Sequence, residues 1–305
     1  MTTNVAVLDC GSNSTRLLIV SGEGDTLARE MRITRLSAGV DSSGNLSAEA
    51  LERSYRVLEL YRGMMDAHGV ERGLLVATSA VRDAANGDEF LARATLITGV
   101  EARLLRGDEE AAFSYAGATR GLSPDPRPTL IVDIGGGSTE LAVRIDGVVR
   151  AYSMQLGCVR VTERALGPGV VTAATATAAS AMIDEQLDRA FDAVPALASL
   201  VGAVRLVGLA GTVATLAQLD AGLTHYDRNA VHHLRLSRAD VRRWRGRLGE
   251  LTPTQRLALP GMIAGREDVL VAGLYILDAV MGRFGAVELL TSEDDILDGV
   301  AASLI

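Results

Sequence analysis

The chain has 305 residues, 38 acidic and 30 basic, giving a net charge of −8 near neutrality, and it contains no lysine, so its basic residues are all arginine. That length exceeds the size at which a single hydrophobic core stops growing, which predicts two domains. The missing lysine excludes a lysine-dependent P-loop, Schiff-base and pyridoxal phosphate chemistry, and the acidic balance argues against a dedicated nucleic-acid binder.

In chain order, residues 4–9 and 15–21 read as two strands around the turn Cys10-Gly11-Ser12-Asn13-Ser14, with 26–34 as a third strand completing a hairpin meander. Residues 47–68 place Leu51, Tyr55, Leu58, Tyr61 and Met65 at helical spacing behind Ser47 as N-cap. A buried strand over 73–78, a helix over 88–97, a short strand over 101–105 and a helix opening at Asp108 follow. The proline-dense stretch 121–128 is the natural boundary, so the expected domains are 1–121 and 122–305, with room for the last helix to pack back on the first. No apolar run approaches the roughly 20 residues of a spanning helix, and the N-terminus lacks the pattern of a signal peptide. A cytoplasmic protein without a membrane partner is expected. Cys10 and Cys158 are far apart and outside any CxxC pattern, which suits small core residues rather than a disulfide or zinc site.

An internal repeat appears when residues 8–18, LDCGSNSTRLL, are set beneath residues 132–142, VDIGGGSTELA. Asp9 matches Asp133, Gly11 matches Gly135, Ser14 matches Ser138, Thr15 matches Thr139 and Leu17 matches Leu141. Each copy reads as strand, glycine-rich turn, strand, and the second continues into a strand pair around Asp146-Gly147. Duplication suggests two similar domains facing each other across a cleft, each presenting one turn. Backbone N–H groups of Gly11, Ser12, Asn13 and Ser14, and of Gly135, Gly136, Gly137 and Ser138, could converge on phosphate, because small side chains let an anion approach. One such turn alone would be read as hairpin geometry; two, each preceded by an aspartate, point to binding. A dinucleotide fold is excluded because its glycines must open a helix, whereas residues 140–145 alternate as a strand. A third turn, 208–212, stands between a strand and a helix and makes Gly211 and Thr212 candidate substrate contacts, with a purely structural role equally open.

With LDCGSNSTRLL, TSAVRDAAN, LLRGDEEAAFSYAG, IVDIGGGSTEL and SEDDILDG in this order, the chain resembles, end to end, the exopolyphosphatase/guanosine pentaphosphate phosphohydrolase family in its short, two-domain form. The resemblance implies an α/β fold of duplicated ribonuclease-H-like domains in the actin-like (sugar kinase/heat-shock 70/actin) superfamily, with an interdomain cleft. It implies metal-dependent release of terminal phosphate from inorganic polyphosphate, or alternatively from guanosine pentaphosphate, with Mg2+, or Mn2+ in its place, as cofactor; a homodimer is compatible with it. In Gly107-Asp108-Glu109-Glu110-Ala111 the family's general base falls on Glu110, and its phosphate-gripping arginine falls on Arg82, in the loop after the strand 73–78. Asp108, Glu109 and Glu110 could instead complement the positive end of a helix, a role that fits Glu109 first. Asp133, Glu140 and Asp9 form the carboxylate shortlist for magnesium, whose preference is for hard oxygen ligands. The arginine-rich segment 235–247 reads as the surface of an amphipathic helix or as a track for an anionic chain, and His232-His233 receives no role.

Overall fold

The computed structural model describes residues 3–305. The chain divides into two compact units, Met1–Gly117 with Ile296–Ile305, and Ala118–Asp295.

The first unit is built on β1 (Val5–Cys10), β2 (Ser14–Val20), β3 (Thr26–Ile33), α1 (Ala48–Ala67), β4 (Arg72–Ala77), α2 (Gly87–Thr98), β5 (Glu101–Leu104) and α3 (Gly107–Thr119). Its sheet runs β3-β2-β1-β4-β5, with β1 to β3 an antiparallel meander and β4 and β5 joined in parallel. Strand periodicity gives this sheet two apolar faces. Ala6, Leu8 and Cys10 point to one side, where Leu58, Tyr61 and Met65 of α1 and Phe90 of α2 cover them. Val5 and Val7 point to the other, where the C-terminal helix Ile296–Leu304 lays down Ile296, Leu297 and Val300. Each such side chain contributes roughly 1.5–3 kcal/mol by leaving water. α1 begins where expected: Ser47 accepts a hydrogen bond from the Ala50 N–H and caps the helix. Arg29 of β3 pairs with Asp298 and ties the last helix to the meander.

The second unit contains β6 (Thr129–Ile134), β7 (Thr139–Ile145), β8 (Val148–Met154), α4 (Ala173–Ala193), β9 (Arg205–Leu209), α5 (Ala210–Asp220), β10 (Arg235–Ser237), α6 (Arg238–Gly249), α7 (Leu270–Arg283) and β11 (Glu288–Thr291). Its sheet order is β10-β11-β9-β6-β7-β8. Read from β8, the meander β8-β7-β6 followed by parallel β9 and β11 reproduces the topology of the first unit, with β10 added antiparallel at the edge. This is the ribonuclease-H type of arrangement, present twice, and the α/β fold that the family resemblance implies is the fold observed. Among the described residues no helix is long and apolar enough to cross a membrane. Cys10 and Cys158 are buried free thiols, and burial pushes both pKa values up.

A buried arginine organises the second unit. Arg256, 1% exposed, donates to four carbonyl oxygens: Leu248 at 2.8 Å, Pro168 at 2.9 Å, Glu267 at 3.1 Å and Gly169 at 2.6 Å. The guanidinium's fan of donors lets one side chain satisfy backbone groups from separate segments.

Candidate functional site

The glycine-rich turns are the ends of equivalent hairpins, and their backbones match. Gly11 donates to Ser14 O at 3.0 Å, and Gly135 donates to Ser138 O at the same 3.0 Å. In the first turn the carbonyls are committed elsewhere: Ser12 O accepts from Ser37 N–H, and Asn13 O accepts from the N–H groups of Thr34 and Arg35. In the second, Gly135 O accepts from Cys158 N–H, Gly136 O from Val159 and Arg160 N–H, and Gly137 O from the Arg160 side chain at 2.9 Å. Among the described residues no backbone–backbone bond of this kind has the N–H of Ser12, Asn13, Gly136 or Gly137 as its donor. With acceptors consumed and donors left over, each turn carries the polarity of an anion-binding nest. Gly157 is what allows the second nest its support, since a Cβ there would lie 2.2 Å from Gly136 O and 2.5 Å from Gly137 N.

Around the first turn the same unit assembles further polar groups. Ser12 and Ser79 share a 2.9 Å hydroxyl hydrogen bond, which links the turn to the segment after β4. That segment is a single helical turn, Ser79–Arg82, rather than the open loop expected; one turn is too short to display periodicity in sequence. Arg82 donates from Nη1 to Leu105 O at 3.0 Å and approaches Glu110 Oε2 at 3.4 Å. Its Nη2 is buried with no hydrogen-bond partner among the described residues, as is Asn13 Nδ2. Two buried donors lacking acceptors are costly unless an incoming group supplies oxygens. Glu110 is 8% exposed on the first turn of α3. Glu109 points elsewhere: it accepts the Arg106 N–H at 3.1 Å, closing the start of α3, and meets the Arg106 and Arg103 guanidinium groups. Asp108 is hydrogen-bonded by Arg106, which holds its carboxyl below the usual range. Of three consecutive acids, two serve the helix end and one faces Arg82.

The two hairpins differ at one matched pair. Asp133 and Glu140 are direct partners across β6 and β7, both buried, with Glu140 accepting from Ser153 Oγ at 2.7 Å. The equivalent partners across β1 and β2 are Asp9 and Arg16, joined by hydrogen bonds of 2.9 and 2.6 Å from Nε and Nη2 to Asp9 Oδ2. The second unit therefore presents two facing carboxylates where the first presents an ion pair. Arg16 was absent from the sequence shortlist, although its signal was available: it stands seven residues after Asp9, as Glu140 stands seven after Asp133.

The third turn lies beside the second, because Leu209 is the parallel partner of Asp133. Ala210 takes a φ of 64°, and a Cβ on Gly211 would strike the Arg266 guanidinium at 2.0 Å. Thr212 is 1% exposed and packs on Gly273 of α7, so its side chain supports the turn from within. His232 and His233 stack with ring centroids 3.7 Å apart between a helical turn, Arg228–Val231, and β10.

The duplicated ribonuclease-H topology, with a glycine-rich hairpin at the matching position of each copy, defines a two-domain α/β protein. Residues 18–305 match the family model described as the Ppx/GppA phosphatase family. The chain belongs to the Ppx/GppA phosphatase family. It is 40% identical, over 99% of its length and 98% of the relative's, to Exopolyphosphatase 2 of Mycobacterium tuberculosis. Among solved structures it is similar to an exopolyphosphatase from Cytophaga hutchinsonii (TM-score 0.88, 25% identity, 99% and 97% of the two chains covered). It also resembles the Aquifex aeolicus Ppx/GppA family member (TM-score 0.80, 28% identity, 100% and 98% covered).

Proposed function

We propose that the chain is an exopolyphosphatase, hydrolysing the terminal phosphoanhydride of inorganic polyphosphate to release orthophosphate. The observation that carries this reading is a buried donor without an acceptor among the described residues, Arg82 Nη2, on a guanidinium 3.4 Å from a buried carboxylate, Glu110, in the same unit as a second such donor, Asn13 Nδ2. A terminal phosphate supplies the oxygens those donors lack, and a carboxylate supplies the base that a water nucleophile needs. The 40% identity to Exopolyphosphatase 2 over nearly the whole chain supports the same substrate class.

In this mechanism Arg82 and the N–H groups of Ser12 and Asn13 hold the terminal phosphoryl oxygens. Glu110 accepts a proton from water as the water oxygen bonds to phosphorus, while the bridging P–O bond breaks and its electron pair leaves with the shortened chain. Catalysis is chiefly positioning and charge stabilisation. The Leu105 carbonyl fixes the Arg82 guanidinium, so its free nitrogen is aimed before substrate arrives.

A divalent cation fits the second unit. Asp133 and Glu140 offer hard oxygen donors on neighbouring strands, and among the described residues no group of three or more His, Cys, Asp or Glu side chains is placed to hold a metal. A two-carboxylate site completed by water and substrate oxygens suits magnesium, which keeps much of its water shell. When bound, the ion would neutralise charge on phosphate oxygens. Asp9, engaged by Arg16, is assigned to orienting that arginine rather than to the metal. Phosphate release from polyphosphate and from guanosine pentaphosphate, measured side by side with magnesium, tests the reading. A higher kcat/KM on polyphosphate is expected, and release from neither substrate refutes it.

A further inference from the structure

The arginine-rich helix α6 contains a charge arrangement that the phosphatase reading does not use. Arg238, Arg242 and Arg245 stand at i, i+4 and i+7, one face of the helix, and all three converge on a single carboxylate, Asp278 of α7. Arg238 Nε reaches Oδ1 at 2.6 Å, Arg242 Nε reaches Oδ1 at 3.0 Å, and Arg245 Nη1 reaches Oδ2 at 2.6 Å. Asp278 takes one nitrogen from each, and the remaining guanidinium nitrogens, Nη1 and Nη2 of Arg238 and Arg242 with Nε and Nη2 of Arg245, have no protein acceptor among the described residues. The Asp278 side chain is 6% exposed, whereas those of Arg238, Arg242 and Arg245 are 29, 54 and 31% exposed. The carboxylate is buried while the three side chains that surround it remain partly exposed, Arg242 most of all.

Helix stability alone does not account for this pattern. Like charges four apart on a helix repel, and an arginine in the first turn opposes the helix dipole. Elsewhere on α6, Arg243 meets two carboxylates, Asp220 and Asp240. The three converging arginines share one anion, which leaves the cluster two positive charges in excess on a chain whose net charge is −8. The arrangement is also built in: Gly282 in α7 leaves room for Arg238, since a Cβ there would lie 2.3 Å from Nη2. A glycine inside a helix costs roughly 0.5–1 kcal/mol relative to alanine, so the space has been kept at a cost. Arg245 is further fixed over the Tyr275 ring at 4.6 Å.

We propose that this α6–α7 face is an accessory binding site for an extended inorganic polyphosphate, built from residues outside the two phosphate turns. The inference rests on the polyphosphatase reading for the identity of its ligand. A polymer with an anionic oxygen on every unit can engage several outward donors at once, and linked contacts multiply where single ones are weak. Orthophosphate or tripolyphosphate offers the cluster fewer simultaneous contacts. The site would hold a distal stretch of chain and so favour long substrates.

The test is binding of long-chain polyphosphate in excess chelator, where hydrolysis does not enter the measurement, to the wild type and to Arg242→Gln/Arg245→Gln. The double variant is expected to weaken long-chain binding about tenfold and to make it less salt-dependent, as lost phosphate contacts do. With magnesium, its kcat/KM on tripolyphosphate should stay within about twofold of wild type, as for surface charges away from the chemistry. Arg242→Lys/Arg245→Lys retains the charge and should retain most of the binding, which separates an anion site from a structural ion-pair network should the glutamine variant lose thermal stability. Unchanged long-chain affinity in the glutamine variant, or equal losses on long and short substrates, overturns the proposal. A wild type that binds long polyphosphate through these arginines yet releases no phosphate would refute the hydrolytic reading and leave the site standing.

Discussion

Gly157→Ala is the sharpest test of the second phosphate turn. The backbone at Gly157, with φ −135° and ψ 169°, is extended and accepts any side chain, so the substitution acts through space alone. The new methyl would stand 2.2 Å from Gly136 O, and ordinary contact begins near 3.4 Å, so the turn must recede by about 1.2 Å. Both atoms are backbone, so no side chain can swing aside. A displacement of about 1 Å in a substrate-positioning element can cost about 10²-fold in rate, and that loss is expected here in kcat/KM on polyphosphate. Overpacking of this kind destabilises by about 1–3 kcal/mol, which for a protein of this size lowers Tm by roughly 2–5 °C. The assay is phosphate release across substrate concentrations, alongside a thermal melt. Gly246→Ala is the matched control: it is an exposed position within α6 with nothing within 4 Å of the added Cβ, and it should keep wild-type turnover of a short substrate while gaining about 0.5–1 kcal/mol. A folded Gly157→Ala protein with wild-type kcat/KM would remove the turn 135–138 from the site.

Glu110→Gln should lower kcat by about 10²–10⁴ with polyphosphate still bound, because the amide keeps the shape but cannot take the proton. Glu109→Gln should leave kcat near normal and cost about 1 kcal/mol or less of stability, since its contact is with the Arg106 N–H at the start of α3; the reverse ranking would move the base to Glu109. Arg82→Lys should lose about tenfold or more in kcat/KM despite keeping its charge, because an ammonium cannot hold the Leu105 carbonyl and a phosphate oxygen in one plane, and wild-type kinetics would exclude Arg82. Activity should require magnesium or manganese, and Glu140→Gln should raise the magnesium concentration giving half-maximal rate; full activity in excess chelator would contradict the Asp133–Glu140 pair as a metal site.

Much of the fold was legible because its defining hairpins are short apolar runs joined by glycine-rich turns, and because the repeat LDCGSNSTRLL/VDIGGGSTELA marked the duplication. Ser47 was recognisable as a cap from its position ahead of a 3.6-residue apolar rhythm. The helical turn holding Arg82 and the π-helical turn Thr162–Leu166 were not legible, since a single turn leaves no periodic trace. At the site, the separate duties of Glu109 and Glu110 followed from helix-end chemistry together with family resemblance, and the geometry gives them different partners. The shortlist treated Asp9 and Asp133 alike because the repeat aligns them. Their difference lies in the cross-strand neighbour, Arg16 in one copy and Glu140 in the other, which emerges only once register pairs the strands. Arg256 gave no sequence signal, as its partners are main-chain carbonyls rather than side chains with a recognisable spacing.

The helix Ile296–Leu304 bears on how the chain is made. It covers Val5, Val7 and Leu18, residues translated before the second unit, yet it emerges after the whole of that unit. At about 5–20 residues per second, the ribosome needs roughly 10–35 s to add that intervening unit. During that interval the first sheet carries an apolar face awaiting its cover, so the half synthesised first is completed last. Nascent chains should therefore engage a holding chaperone through the opening hairpin and release it only when the final helix clears the exit tunnel.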